Sequence, residues 1–304
     1  MKLSKNVKDI FLKISPPKSG SGIRKYTRSK AGNVLYFLFL ITAGLFSALP
    51  LVYCITTSFK PIDELLKFPP SLVVVKRPTM QNYLSLPNLL SNLKIPLSRY
   101  IFNSLFVSVL TTVLYIIIAS MAAYVLAKSK LKIRKVYFNI VQYALLFTAY
   151  TLAVPQYLIF SKLGMIDTYA VYILPYLAST MGVFLMKQYM EGYIPDTLIE
   201  AAQIDGAGNY RIFFRIVFPI VKPAWLTLTL FSFRDIWSAV PQGTIFSEEL
   251  KTLPQIMAQI NAGGIARSGS AMAVTVIMMV PPILVYLISQ SNVVEAMSSA
   301  GIKG

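Results

Sequence analysis

Histidine is absent from this 304-residue chain, and cysteine occurs once, as Cys54. A single cysteine forms no intrachain disulfide, and without histidines or clustered carboxylates the sequence has no ligand set for a zinc or di-iron site. It also has no Gly-x-x-x-x-Gly-Lys-Ser/Thr phosphate-binding loop and no nucleophile–base pair. These absences argue against an enzyme and predict that the chain itself binds no metal or cofactor.

Charged residues are also scarce, at 13% of the chain, whereas soluble domains carry roughly 25%. Hydrophobic residues make up 55% of the sequence, and the mean hydropathy is +0.60. The apolar residues come in long blocks, and a membrane-spanning helix needs about 20 of them. The composition therefore predicts an all-α, multi-pass protein of a cell membrane.

Six apolar blocks predict six transmembrane helices within a permease domain at residues 34–290. A polar, basic tail at residues 1–33 precedes the domain, and a short tail at residues 291–304 follows it. The six predicted spans are residues 34–56, 100–127, 136–160, 169–190 (interrupted by Pro175), 224–245 and 271–289 (kinked by Pro281 and Pro282).

The net charge of +17 is placed unevenly. Basic residues crowd the first 30 positions, and a second cluster at residues 128–135 follows the second span. Both clusters flank apolar spans, so the positive-inside rule puts them, and both chain ends, in the cytoplasm. This placement favours topology marking, with contact to anionic lipid as an alternative for the tail, and it argues against nucleic-acid binding. The tail is too long for a cleavable signal.

The loops between the predicted spans differ in character. An outer segment at residues 57–99 holds six prolines, which favours turns over long helix, although residues 80–93 suit a short amphipathic helix. Two further outer loops are predicted at residues 162–168 and 246–270, and a cytoplasmic loop at residues 191–223.

The cytoplasmic loop, called here the Glu200 loop (residues 191–223), is polar yet ordered. Thr197 and Glu200 have capping-box spacing, with Asp196 as an alternative cap, so a helix is predicted from about residue 198 to 205. Gly206 permits the positive φ that ends it. In addition, we expect Asn209 to cap a second short helix and Pro219 to stop it.

This helix–turn–helix is predicted to dock a partner. Apolar residues at both helices are available for the docking face: Leu198, Ala201, Ala202, Ile212, Phe213 and Ile216. Asp205 is expected to fix the turn by accepting hydrogen bonds from backbone amides.

Two charges and two aromatic rings stand out in the fifth predicted span. Charge inside a membrane costs about 2.5–3.5 kcal/mol and usually faces a cavity, so Arg234 and Asp235 are candidates to line a transport path. The alternative is that a neighbouring helix or subunit satisfies them. Phe233 and Trp237, one helical turn apart, are candidates for stacking on a sugar, with core packing or the lipid interface as the alternative.

Several segments resemble one family in the expected order. EAAQIDGAG (residues 200–208) with FPIVKP (218–223) looks like the signature EAA loop of importer-type ABC permeases with the MetI-like fold. Arg99, Asn103 and Ser104 open the second span in that family's manner. LGMIDTYAVYILPYLAS (163–179), FLMKQYMEGYIPDTLIEAA (184–202), Thr252–Leu253–Pro254 and the terminal GIKG are also similar. The set is closest to the carbohydrate branch, the MalG-like maltose permeases.

The resemblance implies one transmembrane subunit of an ATP-driven, binding-protein-dependent importer of sugar or oligosaccharide. The loop would be a coupling helix that enters a cleft of an ATPase. The implied coupling residues are Glu200, Ala201, Ala202, Asp205, Gly206, Ala207, Phe213 and Pro219. Implied partners are a second, related permease, two ATP-binding subunits that use ATP and Mg, an extracellular or periplasmic solute-binding protein, the sugar and membrane lipid. Asn261, Gly263 and Gly264 are the implied contact for the binding protein.

Two alternatives remain. The same mechanism could carry a polyamine, phosphonate or glycerophosphodiester. A secondary transporter could instead use Arg234 and Asp235 as its coupling site, and it would need no ATPase.

Overall fold

The structure, a computed structural model, describes residues 30–91, 95–241 and 243–301. Within these residues the elements are helices, turns and loops. Residues 1–29 of the predicted basic tail and residues 302–304 of the GIKG segment lie outside the described residues, whereas residues 30–33 of the tail form the start of the first helix. The chain divides after Pro50 into two units, and the packing described below lies within the second, from Leu51 onward.

Helix boundaries follow the apolar blocks at the first two spans. Helix α1 is Lys30–Ser58, and its apolar side chains before Pro50 are exposed, as expected of a lipid-facing helix. The outer segment holds three short helices: α2 (Ile62–Leu65), α3 (Gln81–Leu84) and α4 (Leu86–Ser91). Helix α5 is Leu97–Lys128, as predicted for the second span.

The predicted third span is divided. Helix α6 (Arg134–Ala144) and helix α7 (Ala149–Lys162) are separated by four residues. The expectation of one continuous helix at residues 136–160 is therefore wrong. Helix α6 is amphipathic: Phe138 stacks on Phe184, with ring centroids 5.9 Å apart, whereas Val136, Tyr137 and Ile140 are exposed. A helix with one packed and one exposed face suits the membrane surface better than its interior.

The fourth span is broken, but later than predicted. Helix α8 is Ala170–Leu177, with Pro175 inside it, and helix α9 is Thr180–Tyr193. The break lies at Ala178 and Ser179, where Ser179 is extended and its hydroxyl donates to Tyr115 Oη at 3.4 Å. Pro175 removes one backbone hydrogen bond to the preceding turn and can kink the helix. The residues after it still donate their own hydrogen bonds, so the helix continues to Leu177.

The Glu200 loop begins with helix α10, Asp196–Ile204. Helix α11 (Asn209–Ile212), a π turn (Phe213–Val217) and helix α12 (Phe218–Ile220) then form a continuous helical segment. The predicted stop at Pro219 agrees with the observed end to within one residue, because the segment ends at Ile220 and Val221 is a turn. Helix α13, Lys222–Trp237, follows at a bend of 78°.

Helix α13 ends eight residues before the predicted boundary at residue 245. Pro241 disfavours helical backbone at the residue before it, and the Ser238 hydroxyl closes the helix end by donating to the Arg234 carbonyl at 2.9 Å. Helix α14 is Leu253–Asn261, and helix α15, Ser268–Gly301, continues through Pro281 and Pro282.

Four helical segments of the described residues, one of which joins α8 and α9, are long and apolar enough to cross a membrane, and the bent α11–α13 pair adds a fifth. The all-α, multi-pass prediction is confirmed, while the count of six spans and the cytoplasmic position of both ends remain predictions. Helix α5 is central: it contacts α6, α8, α9, α13 and α14. Its buried face is partly polar, with Asn103, Ser104, Ser108, Thr111, Thr112 and Ser120.

Helices α5 and α9 approach closely at a glycine. A Cβ added to Gly182 would lie 2.3 Å from the Tyr115 hydroxyl oxygen. We expect Gly182→Ala to force Tyr115 out of its rotamer and to destabilise the fold by about 1–3 kcal/mol, as overpacking does. Thermal unfolding in detergent measures this. Gly44→Ala is the control, because nothing lies within 4 Å of its Cβ, and an equal loss in both variants would contradict the prediction.

Candidate functional site

Helix α10 ends in a tight turn at Gly206. The Gly206 amide donates to the Gln203 carbonyl, and the Ala207 amide donates to the Ala202 carbonyl, each at 3.0 Å. These two bonds form a Schellman motif, which needs a left-handed residue, and Gly206 supplies φ of +78°. The predicted glycine stop is confirmed by this geometry.

The start of helix α10 is fixed by a lysine from helix α5. Lys128 Nζ donates to the Ile194 carbonyl at 2.6 Å and to Asp196 Oδ1 at 2.7 Å. Pro195 occupies the N-cap position in an extended conformation, and no side chain caps the helix. The predicted capping box is therefore wrong: Thr197 and Glu200 lie inside a helix that starts at Asp196.

The second helix of the loop also starts without its predicted cap. Gly208 occupies the N-cap position, and Asn209 is the first helical residue. An extended glycine before Asn209 already turns the chain into the helix, so the side chain of Asn209 is left exposed.

The residues implied in coupling fall into two groups. Exposed members are Glu200, Ala201, Asp205, Gly206 and Pro219. Buried or half-buried members are Ala202, Ala207 and Phe213, which belong to or pack against a core cluster of helices α5, α9, α10 and α13. Within it, the rings of Phe213 and Tyr124 have centroids 5.7 Å apart.

The predicted docking face needs correction. Ala202, Ile212 and Phe213 face the protein's own core and are not available to a partner. The large apolar side chains that the loop exposes are Leu198, Ile204, Tyr210, Phe214 and Ile220, and Ile204 is 86% exposed. The exposed apolar residues and Glu200 thus share the outer surface of the loop, while the inner face anchors it to the spans.

The residues predicted to line the transport path fall into a buried pair and an exposed pair. Phe233 and Trp237 stack with centroids 5.7 Å apart, and both are buried in a core cluster with residues of helices α14 and α15. Trp237 Nε1 donates to the Met278 carbonyl at 2.9 Å. Both rings therefore contact protein. Arg234 and Asp235 are exposed, and Asp235 lies within electrostatic range of Tyr115 and Tyr176, close to the break between α8 and α9.

The outer loop exposes the residues implied in binding-protein contact. Asn261 ends helix α14, and Gly263 and Gly264 follow it at the surface. Gly264 has φ of +73°, which favours glycine. At Gly263 a Cβ would lie 2.3 Å from Cδ of Arg267, so the arginine side chain covers this glycine.

Asp167 holds the same outer loop to the turn before helix α8. Its carboxylate accepts hydrogen bonds from the amides of Phe246 and Ser247, at 3.0 and 2.9 Å, and from the Ser247 hydroxyl. The Asp167 amide in turn donates to the Thr244 carbonyl at 2.8 Å. The hydrogen bonds to the carboxylate, of which that from the Ser247 hydroxyl has the largest effect, lower the pKa of Asp167 below its ordinary value.

We expect this clamp to loosen in acid. A carboxylate with a lowered folded pKa stabilises the fold fully above its unfolded pKa of about 3.9, and the stabilisation is lost as pH falls through the folded value. Asp167→Asn should lower thermal stability at pH 7 and flatten its decline below about pH 4. Asp205→Asn is the control, because the exposed Asp205 carboxylate accepts no hydrogen bond from any described residue, so the prediction that it fixes the turn is wrong. Parallel pH profiles for Asp167→Asn and the native chain would contradict the expectation.

A family model is matched by residues 100–299, which span helix α5 to helix α15. The model describes the inner membrane component of binding-protein-dependent transport systems. The chain belongs to this family. This inner membrane component is thus a transport permease subunit, and its place in the membrane agrees with its apolar helices.

Curated relatives of this permease include two from Bacillus subtilis (strain 168). The arabinooligosaccharides transport system permease protein AraQ is 29% identical, over 88% of this chain and 94% of the relative. The melibiose/raffinose/stachyose import permease protein MelC is 32% identical, over 66% of this chain and 75% of the relative.

A solved structure shares the fold of this permease. It is a bacterial ABC transporter involved in the import of the acidic polysaccharide alginate, with a TM-score of 0.70 and 20% identity, covering 87% of this chain and 98% of that chain. At this identity the likeness concerns the fold, and it agrees with the MetI-like permease fold expected from the motifs.

Two site features of this permease were not singled out from the sequence. The sequence pattern predicts only a topology marker at Lys128, which fixes helix α10, and only a short turn at Asp167, which holds the outer loop. The available signal for Asp167 was its identity as the acid of an otherwise uncharged outer turn between Gly164 and Thr168. The partner of each residue lies more than 60 positions away, so local pattern did not show the contact.

Proposed function

We propose that this permease is one transmembrane subunit of an ATP-driven, binding-protein-dependent importer of sugar or oligosaccharide. The names of the relatives AraQ and MelC support the substrate class. The observation that carries the mechanism is the Glu200 loop, whose outer surface is exposed while its inner face is built into the core of the spans. Such a loop passes on motion that arrives from outside the chain.

The anchoring of the loop supports a rigid transmission. Ile212, Phe213 and Val217 are almost fully buried and share one core cluster with Ala123 of helix α5 and Met186 of helix α9. Protein cores are close-packed and transmit displacement instead of absorbing it. A push on Glu200 or Ile204 would therefore tilt helices α5 and α9 together.

The proposed importer requires several partner proteins besides this permease. Two ATP-binding subunits use ATP and Mg, contact the Glu200 loop and supply the motion, since the sequence holds no phosphate-binding loop of its own. A second permease forms the other half of the path. A solute-binding protein delivers the sugar to the outer face, where Asn261, Gly263 and Gly264 are exposed.

Co-purification tests the proposal directly. An affinity-tagged full-length chain, extracted from its own membranes, should bring down an ATP-binding subunit and a second permease. In reconstituted vesicles the complex should import a radiolabelled oligosaccharide only with ATP inside and binding protein outside. Transport that needs no ATPase and follows a proton gradient would overturn the proposal in favour of a secondary transporter. Import of a polyamine in place of sugar would overturn only the substrate class.

Asp235 is the side chain we assign to the sugar path, because it is exposed on helix α13 and lies within electrostatic range of Tyr115, whose hydroxyl accepts a hydrogen bond from Ser179 at the helix break. A carboxylate can accept two sugar hydroxyls, and such hydrogen bonds to charged groups contribute about 1.5–3 kcal/mol. Asp235→Asn should raise the KM for import about tenfold or more by the same principle, with little loss of solute-stimulated ATP hydrolysis at saturation. Asp63→Asn, on the outer segment, is the control. An unchanged KM would contradict the assignment.

A further inference from the structure

A basic cavity lies between the Glu200 loop and the turn that joins helices α5 and α6. Its volume is about 1060 Å³. Five basic side chains line it, against two carboxylates, which leaves a net charge of +3: Lys128, Lys130, Lys132, Arg134 and Lys135, with Asp196 and Glu200. The excess of positive charge favours an anionic ligand.

Two of the five basic side chains bond to other groups of the chain. Lys128 pairs with Asp196, and Arg134 Nη1 donates to the carbonyls of Ala127 and Ser129, at 3.4 and 2.9 Å. Lys130, Lys132 and Lys135 are exposed and make no hydrogen bond or ion pair with any described residue. Three ammonium groups at one cavity are thus free to contact a ligand.

Part of the remaining wall of the cavity is apolar, and Ser129, Gln203 and Asn209 add polar side chains to it. Met121, Val125 and Leu131 line it together with the rings of Tyr124 and Phe213. A small free anion would contact only the lysines. An amphiphile with a phosphate group and a hydrocarbon part would contact both the lysines and the apolar wall.

Helix length and charge support a position of the cavity near the lipid headgroups. Helix α5 has 32 residues, a length of about 48 Å, while the hydrocarbon core of a bilayer is about 30 Å thick. The helix is therefore too long to lie wholly in the hydrocarbon, and the basic cluster at residues 128–135 favours its C-terminal end as the part that extends out. Helix α6 begins at Arg134, and its exposed Val136, Tyr137 and Ile140 suit a helix lying in the membrane surface.

We propose that this cavity binds the phosphate headgroup of an anionic phospholipid. The ammonium groups of Lys130, Lys132 and Lys135 contact the phosphate, and the apolar wall around Val125 and Leu131 contacts the start of an acyl chain. Because helix α10 forms the opposite wall, the bound lipid joins the Glu200 loop to the membrane surface. The site rests on the position of this permease in the membrane and is independent of the proposed import of sugar.

The test measures lipid binding to the full-length chain in mixed micelles that contain spin-labelled phosphatidylglycerol or phosphatidylcholine. The native chain should retain phosphatidylglycerol preferentially. Each lysine near an anionic surface contributes a factor of about five, so the triple variant Lys130→Gln, Lys132→Gln, Lys135→Gln should lose about a hundredfold in this preference. The control removes the same charge at exposed lysines away from the cavity: Lys67→Gln, Lys76→Gln, Lys162→Gln.

A second variant keeps the charge and tests the apolar wall. Leu131→Asn changes an exposed side chain, so the fold should survive, and it should weaken retention of both lipids. Equal losses in the triple variant and the lysine control would overturn the proposal, as would an unchanged preference. Full displacement of the labelled lipid by millimolar inorganic phosphate would show a free-anion site instead. Displacement by the ATPase, with lipid retention unaffected by the triple substitution, would assign the cavity to a protein segment.

Discussion

Glu200→Arg is expected to abolish import by the assembled transporter. Glu200 is exposed on the outer surface of the Glu200 loop, between the buried Ile199 and the exposed Ile204. Against an ATPase it would be enclosed, and losing one partner of an enclosed charge pair costs about 2–5 kcal/mol or more. Reversing the charge should therefore reduce import at least about thirtyfold, by the same energetic range. Radiolabelled uptake into reconstituted vesicles measures it.

Two variants define the cause of that loss. Glu200→Gln keeps the shape and removes the charge, so its import should lie between that of the native chain and that of Glu200→Arg. Glu249→Arg makes the same reversal on an exposed outer-loop carboxylate and should leave coupling intact. Co-purification of the ATPase should weaken in Glu200→Arg alone. Full import by Glu200→Arg would remove the coupling role from this residue.

Asn103→Leu is expected to be the most destabilising single change among the polar residues of helix α5. Asn103 is fully buried, donates to the carbonyls of Glu249 and Lys251 at 2.7 and 2.9 Å, and accepts from Tyr169 Oη at 2.8 Å. Leucine would leave the half-buried Lys251 carbonyl and Tyr169 hydroxyl without this partner, while the Glu249 carbonyl keeps its bond from Arg99 Nε at 3.3 Å. At about 1–3 kcal/mol for each lost partner, we expect a loss of about 2–6 kcal/mol, or roughly 5–20 °C in the unfolding temperature.

Asn139→Leu is the matched control, because Asn139 is exposed on helix α6. Thermal unfolding monitored by fluorescence-detected size exclusion compares the two variants. If Asn103→Leu fails to accumulate, Asn103→Gln keeps both an amide donor and an amide acceptor and should recover part of the folded fraction. Unfolding temperatures within a few degrees for the native chain and Asn103→Leu would contradict the expected cost.

Much of the fold follows from the apolar pattern, and the exceptions have local causes. Helices α1 and α5 match their predicted spans closely, because a long apolar block favours a helix wherever it lies. The third span does not match its prediction. A mean hydropathy over the whole segment does not show that Asn139 and Gln142 make one face of helix α6 polar. The fifth ended early because Pro241 acts on the residues before it.

The candidate site was predictable in outline only. The turn at Gly206 follows from the need for a left-handed residue after a helix. The burial of Ala202, Ile212 and Phe213 does not, because an apolar residue on a short helix suits a partner surface as well as the protein's own core. Only the packing against helices α5 and α9 distinguishes the two.

The amino-acid sequence by itself determined the membrane class, the absence of a nucleotide site and the position of the Glu200 loop, because these depend on composition and on residues adjacent along the chain. The tertiary structure alone decided which face of the loop is exposed, which lysines are free at the cavity, and how Asn103 reaches Glu249 across 146 positions. Such contacts depend on the rotation and register of packed helices, and the period of a single helix carries no information about its neighbours.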